Sequence, residues 1–563
     1  MMPHRYRLMA IAAAMLLGAS IMGLGAGETT PDSSSALIRD LLERPDGLRI
    51  DGQALDSRAL GRFYRPRDFA PAWEASAGGL ERSAALIRAL ATADTHGLDL
   101  ARYHRDAIQA RQSSGNERLA AELDLLLTAA FLDYARDIRT GRLTPERRDP
   151  DWGIAAPSFD AVASLTHTIR RPTTFRALLA SLPPPAKEYG QLVEALQRYR
   201  AIAARGGWPV VPSGAALRAG DDDARVVAVR ARLAAEVERV TASAATRFDV
   251  RLDAGVRRFQ ARHGLAGDGV VGEATVRAMN VPASDRIQQI ILNLERWRWL
   301  PRDPGPRHIT VNAADATLQM TEDGRTVLTS RVVVGDLLHP TPVVQARVQA
   351  VILNPPWNVP ASIAAREILP RLRTNRRYLA DNDIVILERR DSDPFGLAVD
   401  WSAVSKEAFP FTLQQRPGPD NPLGRIKFDV PNRFDVYLHD TPMRSLFARP
   451  LRAASHGCIR VERADDLAAH VLNDGTGRWT PRRLAEAIAG GDSSRIPVAR
   501  PLPVYIVYWT AFVDPDGLVQ FRDDVYGRDL RLAAALAGEG HAPARDLARG
   551  IGGCPSSREA PSS

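Results

Sequence analysis

Two short segments hold the residues best suited to covalent chemistry. Asp435 to Asp440 reads DVYLHD and Ser455 to Val461 reads SHGCIRV, with 15 residues between His439 and Ser455. A thiol attacks a carbonyl as its thiolate, so a nucleophilic cysteine needs a base and a positive or dipolar setting. His439 ends an alternating, strand-like run, and Cys458 follows in a glycine-containing turn. Gly457 lets the backbone turn without a side chain and, with Cys458, frees amide groups for an oxyanion hole. The following VERADDLAAHVL reads as a helix, whose N-terminus near Cys458 would favour the thiolate. A lone cysteine is commonly a small buried hydrophobe, but SHGC is polar and broken by glycine, unlike a core strand. His456 is a rival base by proximity. Adjacent residues on an extended backbone point opposite ways, and His439 can approach from a neighbouring strand, so His439 is the favoured base. The expected chemistry is acyl transfer, with Cys458 as nucleophile, His439 as base, and Ser455, His456 and Gly457 shaping the turn.

These residues need a β framework, and the surrounding sequence supplies one. HITVNAADATLQMTEDG, TVLTSRVVVG and QARVQAVILNPPWNVP alternate with a period of two and are rich in Val, Thr and Ile. Glu322-Asp323-Gly324 reads as a hairpin turn, and VYIVYWTAFVDPDGLVQF adds a last hairpin around Asp514 to Gly517. The β domain is expected over residues 307–527. Within it, residues 361–424 form a long mixed insertion, and insertions of this length often cover a site. Tyr437 shares a strand face with His439 and is expected to line the pocket; Trp401 in the insertion is a lid candidate. Upstream, residues 35–205 show apolar spacing of three and four and read as a helical scaffold. Gly141 marks one helix stop. Residues 283–306 read as a helical linker.

Between scaffold and linker, residues 222–282 form a compact unit. It carries Phe259-Gln260, an Asp268-Gly269 turn and Gly272 followed by Thr275. This pattern resembles the small three-helix peptidoglycan-binding module, which implies binding to glycan strands.

The chain has 563 residues and a formal net charge of +8. The basic residues are interspersed with acids, so nucleic acid is not an expected partner. Residues 1–27 have the shape of an export signal or an uncleaved N-terminal anchor: Arg5 and Arg7 precede an uncharged apolar stretch from Leu8 to Gly25. This implies a periplasmic location. Cys458 and Cys554 are the two cysteines, too few for a disulfide scaffold. Cys554 sits in a Gly/Pro/Ser-rich segment, and residues 528–563 read as a largely disordered tail. His4, His263, His308 and His339 lack the close spacing of a zinc site; no metal or cofactor is expected.

The catalytic segments resemble the L,D-transpeptidase family, whose domain is defined by a His, a spacer of about 15 residues, then Ser/Thr-His-Gly-Cys and a hydrophobic residue. Here these are His439, Ser455-His456-Gly457-Cys458 and Ile459. The family usually places Asn next; this chain has Arg460, as in the large Gram-negative branch with a helical scaffold, a peptidoglycan-binding module and a capping insertion. NPPWNVP, QQRPGPDNPLGRIKF and LHDTPMRSLF are further landmarks. The resemblance implies a multidomain α+β protein, with a mainly β, β-sandwich-like catalytic domain beside the helical scaffold and three-helix module. It implies a thioester on Cys458, release of D-alanine and formation of 3→3 cross-links, with peptidoglycan tetrapeptide stems as donor and acceptor. It also implies sensitivity to carbapenem-type inhibitors. A carboxylate-binding role for Arg460 stands beside a surface ion pair with Glu462 or Asp465. Hydrolysis of the same thioester, as by an L,D-carboxypeptidase, uses the same residues, and a non-catalytic wall-binding protein is the alternative from another class.

Overall fold

The structure is a computed structural model describing residues 33–73, 77–112, 116–236 and 240–538. The N-terminal segment 1–27 and Cys554 lie outside the described residues.

The first helices pack around Glu117–Thr140, which buries Leu125, Phe131, Ala135 and Ile138. Asn116 caps its start by accepting from the Arg118 and Leu119 N–H groups, and Gly141, with φ of 85°, ends it. The last helix of the region expected as scaffold, Lys187–Ala204, leaves this core. Its Leu192 and Leu196 pack with Ile290 and Leu294 of the linker helix Ala283–Arg298.

Three helices, Arg225–Ala234, Val250–Arg262 and Glu273–Asn280, enclose a separate core that includes Val229, Leu252, Phe259 and Met279. Gln260 explains the motif around it. Its side-chain amide donates to Asp268 Oδ1, the Val270 carbonyl and Thr275 Oγ1, and its oxygen accepts from the Gly269 N–H. A side chain at Gly269 would meet Asp253 Oδ1 at 2.0 Å, so the turn requires glycine.

The β domain is built from β1 (Arg307–Asn312), β2 (Thr317–Glu322), β3 (Arg325–Gly335), β4 (Val343–Leu353), β5 (Ile426–Asp429), β6 (Leu438–His439), β7 (Ile459–Val461) and β8 (Ser494–Val507). Asp323 and Gly324, both with positive φ, make the two-residue turn between β2 and β3. The strand order is β5-β6-β7-β3-β2-β1-β8-β4, continued beyond β4 by the short strand Trp152–Gly153, and β4 also pairs with β5. Residues 350–353 of β4 therefore bond β8 on one side and β5 on the other, and the sheet closes on itself. Closure removes the unpaired edges that an open sheet would expose. Ile309, Val311, Leu318, Val348, Phe428, Leu438 and Ile459 are fully buried in this domain's core. Each such side chain contributes on the order of 1.5–3 kcal/mol by leaving water.

Residues 361–424 have a core of their own. Leu372, Leu379, Ile386, Trp401 and Leu413 pack beside a small sheet of Trp357–Asn358, Leu413–Gln415 and Ile384–Ile386. Two regions add detail to the sequence reading. The last hairpin, Ala511–Val513 with Val519–Phe521, is a separate two-stranded sheet packed on Lys187–Ala204 and the linker helix. Thr510 directs the chain there through hydrogen bonds with Asn293 and Asp529. The C-terminal segment is also ordered at its start: Arg528–Ala537 is a helix, anchored by buried Leu532 and by the ion pair of Asp529 with Arg296.

Candidate active site

Strand register assembles the site. Lys427 of β5 lies opposite His439 of β6, and His439 lies opposite Arg460 of β7. The Ile459 N–H donates to the Tyr437 carbonyl at 3.0 Å, which sets Cys458 beside Tyr437. Alternate residues point to opposite faces of a sheet. Phe428, Leu438, Ile459 and Val461 fill the core face, so Lys427, Tyr437, His439, Cys458 and Arg460 share the other.

His439 is almost fully buried, and its Nδ1 lies 2.6 Å from the Asp440 carbonyl oxygen. A carbonyl only accepts, so Nδ1 carries the proton and the lone pair of the neutral ring is on Nε2; the Pro422 carbonyl also interacts with the ring. The backbone thus orients the base. The Asp440 carboxylate is committed elsewhere, to the Arg425 N–H and the Arg444 guanidinium. Burial, reinforced by the charges of Arg460 and Lys427, brings the imidazole down to about 3, against an ordinary 6.5. At neutral pH it is an unprotonated base.

The Cys458 thiol is pushed above its ordinary 9.0 by burial, opposed by hydrogen bonds from the Tyr437 backbone and hydroxyl and by the Lys427 and Arg460 charges. These donors and cations would stabilise negative charge on sulfur as it develops. Burial and the neighbouring thiol raise the Tyr437 phenol, keeping it a donor, and its ring lies 4.0 Å from the Lys427 ammonium.

The turn before the thiol is tied down from three sides. Gly457 has φ of 102°, and its carbonyl accepts from Thr341 Oγ1 at 2.8 Å. Buried Ser455 donates through Oγ to the Cys458 carbonyl at 2.5 Å. The Gly457 N–H reaches the same Oγ at 3.2 Å. This engagement makes Gly457 a weaker oxyanion donor than expected and leaves the Cys458 N–H as the better one.

Comparison with known proteins settles the class of this domain. Residues 306–498 match the L,D-transpeptidase catalytic domain. The chain carries an L,D-transpeptidase catalytic domain. Residues 58–196 match a scaffold domain, and residues 222–279 match the family described as "Putative peptidoglycan binding domain". A Haemophilus influenzae protein named "Putative L,D-transpeptidase" is 33% identical over 276 residues, covering 48% of this chain and 55% of that protein. An N-acetylmuramoyl-L-alanine amidase, CwlM, of Mycobacterium tuberculosis is 45% identical over 75 residues, 12% of this chain and 18% of the amidase. The chain thus spans at most about half the length of these two relatives. Solved L,D-transpeptidases include those of Xylanimonas cellulosilytica and Stackebrandtia nassauensis. They align at 16% and 12% identity, cover 52% and 53% of this chain and 98% and 96% of theirs, and have TM-scores of 0.18 and 0.21. Those scores are too low to bear on the fold.

Several expected residues of the L,D-transpeptidase domain sit differently from the sequence reading. His456 is turned toward the insertion: its Nε2 is 2.8 Å from Glu367 Oε1, and its ring lies 4.7 Å from that of His339. Glu367 belongs to a π-helical stretch, Ala364–Ile368, so the insertion touches the loop that carries Cys458. Trp401 is not a lid residue. It is 2% exposed, donates to the Gly396 carbonyl and packs with Phe409 and Phe411 in the insertion's core. The helix expected to support the thiolate begins at Ala464, beyond β7, so its N-terminus does not adjoin Cys458. Arg460 makes no ion pair among the described residues, because Glu462 is taken by Arg331; its Nη1 rests 3.5 Å from Met443 Sδ, and its Nε is buried without a partner. Lys427 escaped sequence reasoning. Its signal was the alternation of IKFD beside the histidine strand, which only the register could connect to the site.

No helix among the described residues is long and apolar enough to cross a membrane.

Proposed function

We propose that this protein forms 3→3 cross-links between peptidoglycan stem peptides in the periplasm, through a thioester on Cys458. The observation that carries the reading is the shared face of Cys458, Tyr437 and His439, with imidazole Nε2 unprotonated and the thiol supplied with donors.

In the first step Cys458 Sγ attacks the L-centre carbonyl of the third stem residue, a diamino acid, as His439 Nε2 takes the thiol proton. Burial disfavours a separated thiolate and imidazolium, so proton transfer accompanies attack. The Cys458 N–H donates to the carbonyl oxygen as it becomes an oxyanion. The bond to the D-alanine nitrogen breaks, and that nitrogen takes the proton from His439. In the second step the side-chain amine of another stem attacks the thioester and gives its proton to His439. The carbon–sulfur bond breaks, and the sulfur is reprotonated. Arg460 holds a substrate carboxylate. The 222–282 module holds glycan strands. Contact of the insertion with His456 favours transfer over hydrolysis, since a cover that holds the amine and excludes water directs the thioester to the amine.

The test is product analysis with a purified tetrapeptide-bearing fragment. The protein should release D-alanine and form cross-linked dimers, and Cys458→Ala should form none. Tripeptides alone would make it an L,D-carboxypeptidase; binding to sacculi without either product would leave a wall-binding protein.

A further inference from the structure

In the row Lys427–His439–Arg460 the steps above give a substrate carboxylate to Arg460 and none to Lys427. Two half-buried cations flank the base on adjacent strands, each directly opposite it. Neither has a carboxylate ion pair among the described residues. Three nearby acids are committed elsewhere, Asp429 to Arg495 at 2.7 Å, Asp440 to Arg444 at 3.2 Å, and Glu462 to Arg331, and the charged neighbours of Asp465 include Arg444 and Arg425. The remaining groups on this face, Tyr437 and Cys458, are neutral when protonated. The Lys427 ammonium lies 4.0 Å from the Tyr437 ring. Partly desolvated cations without partners are costly, and beside a base they oppose its protonation. They favour negative charge on the sulfur, yet they work against the histidine that must be protonated during turnover unless something anionic arrives with the substrate.

We infer that Lys427 is a substrate-binding, specificity-determining residue that, with Arg460, receives carboxylates of the acyl donor, so that the preferred donor is a peptide bearing carboxylates on both sides of the attacked carbonyl. Neighbouring strands lie about 4.8 Å apart, so the backbone positions that carry the two cations lie about 10 Å apart across His439. That span accommodates one carboxylate on the leaving residue and another on the acyl side. This inference rests on the transpeptidase reading and narrows its substrate. It has a further consequence: a bound donor neutralises both cations, and the imidazole becomes easier to protonate only when substrate is present. The donor thereby activates the base that processes it.

The experiment uses the full chain and two forms of one tetrapeptide, with a C-terminal carboxylate or carboxamide. In a Cys458→Ala background, binding of each form is measured and the His439 ring is followed by NMR through a pH titration. The acid form should bind about tenfold or more tightly than the amide and should move the His439 titration to higher pH. Lys427→Met should reduce that preference to within about threefold and abolish most of the titration shift, whereas Lys427→Arg should retain both. An acid-over-amide preference in Lys427→Met equal to that of the Lys427 protein would overturn the inference, as would failure of the tetrapeptide acid to bind or to move His439. Failure of the transpeptidase reading is separate: the tetrapeptide would bind with this preference, yet the protein with Cys458 intact would form no thioester.

Discussion

Two groups of buried charge in this molecule have opposite character. At the junction of the three-helix module with the rest of the chain, Glu236 is almost fully buried but lies 2.9 Å from Arg232 and 3.2 Å from Arg262, and it accepts from the Tyr199 hydroxyl. Burial raises its carboxyl, yet the two guanidinium groups prevail and hold it far below the usual carboxylate range. The Arg232 guanidinium also stacks on Trp208 at 3.8 Å. At the catalytic face, Lys427 and Arg460 flank His439 without a carboxylate, and burial leads in bringing the histidine down. In the first cluster the buried carboxylate finds its cations within the chain, and it ties the module to the helix that carries Tyr199. The second is incomplete in the free protein. Buried charge with internal partners is architecture; buried charge without them marks a place where a ligand supplies the missing half.

The contrast can be broken in graded ways. The largest effect belongs to the base. His439→Ala should slow acylation of Cys458 by about 10²–10⁴-fold, measured by single-turnover mass shift, whereas His456→Ala should cost less in that step. Equal losses would mean that the two histidines act as one unit. Next, Glu236→Gln leaves two guanidinium groups facing a neutral amide. It should destabilise the module's junction by about 3–5 kcal/mol, read from the denaturant midpoint, while acylation of Cys458 by a small probe continues unchanged. A parallel loss of acylation would show that the junction reaches the chemistry.

A third expectation concerns pH. The Cys458 thiol lies above 9.0 in the free protein, so alkylation by iodoacetamide should rise about tenfold per unit through pH 6–9, as thiolate accumulates on deprotonation. His439, at about 3, stays neutral throughout that range and should leave no inflection. A plateau near pH 7 would reveal a preformed thiolate–imidazolium pair. The smallest effect belongs to the insertion. Glu367→Ala removes a partly exposed contact with His456 at 2.8 Å, and surface contacts of this kind contribute roughly 0.2–1 kcal/mol. The ratio of dimers to tripeptides should therefore fall, by no more than about fivefold. An unchanged ratio would place acceptor control elsewhere.

Much of the candidate site was legible because its residues lie in two short segments with strong local patterns. DVYLHD alternates, so Tyr437 and His439 had to share a face, and SHGC had to turn at Gly457. Lys427 was not legible. It sits alone in a four-residue strand, and only the antiparallel register with β6 carries it to His439. Closure of the sheet through β4 and β5 was equally hidden, since residues 350–353 read as one strand whether bonded on one side or both. Trp401 misled because aromatic residues suit both lids and cores; the insertion is large enough to need a core, and Trp401 fills it. The Arg528–Ala537 helix was obscured by the Gly/Pro/Ser-rich residues after it, although Leu532 and the alanines around it have helical spacing. The helix at Ala464 was legible as a helix, but β7 separates it from Cys458, and a three-residue strand leaves little trace in sequence.

The most direct measurement of the central claim is peptide mapping of the acylated protein. The full chain is mixed with a tetrapeptide donor, quenched within one turnover and digested. The account predicts a single tripeptide adduct on Cys458, matched by one equivalent of D-alanine and reduced at least a hundredfold in His439→Ala at equal time. An adduct on another residue, or one that forms at full rate without His439, would contradict it.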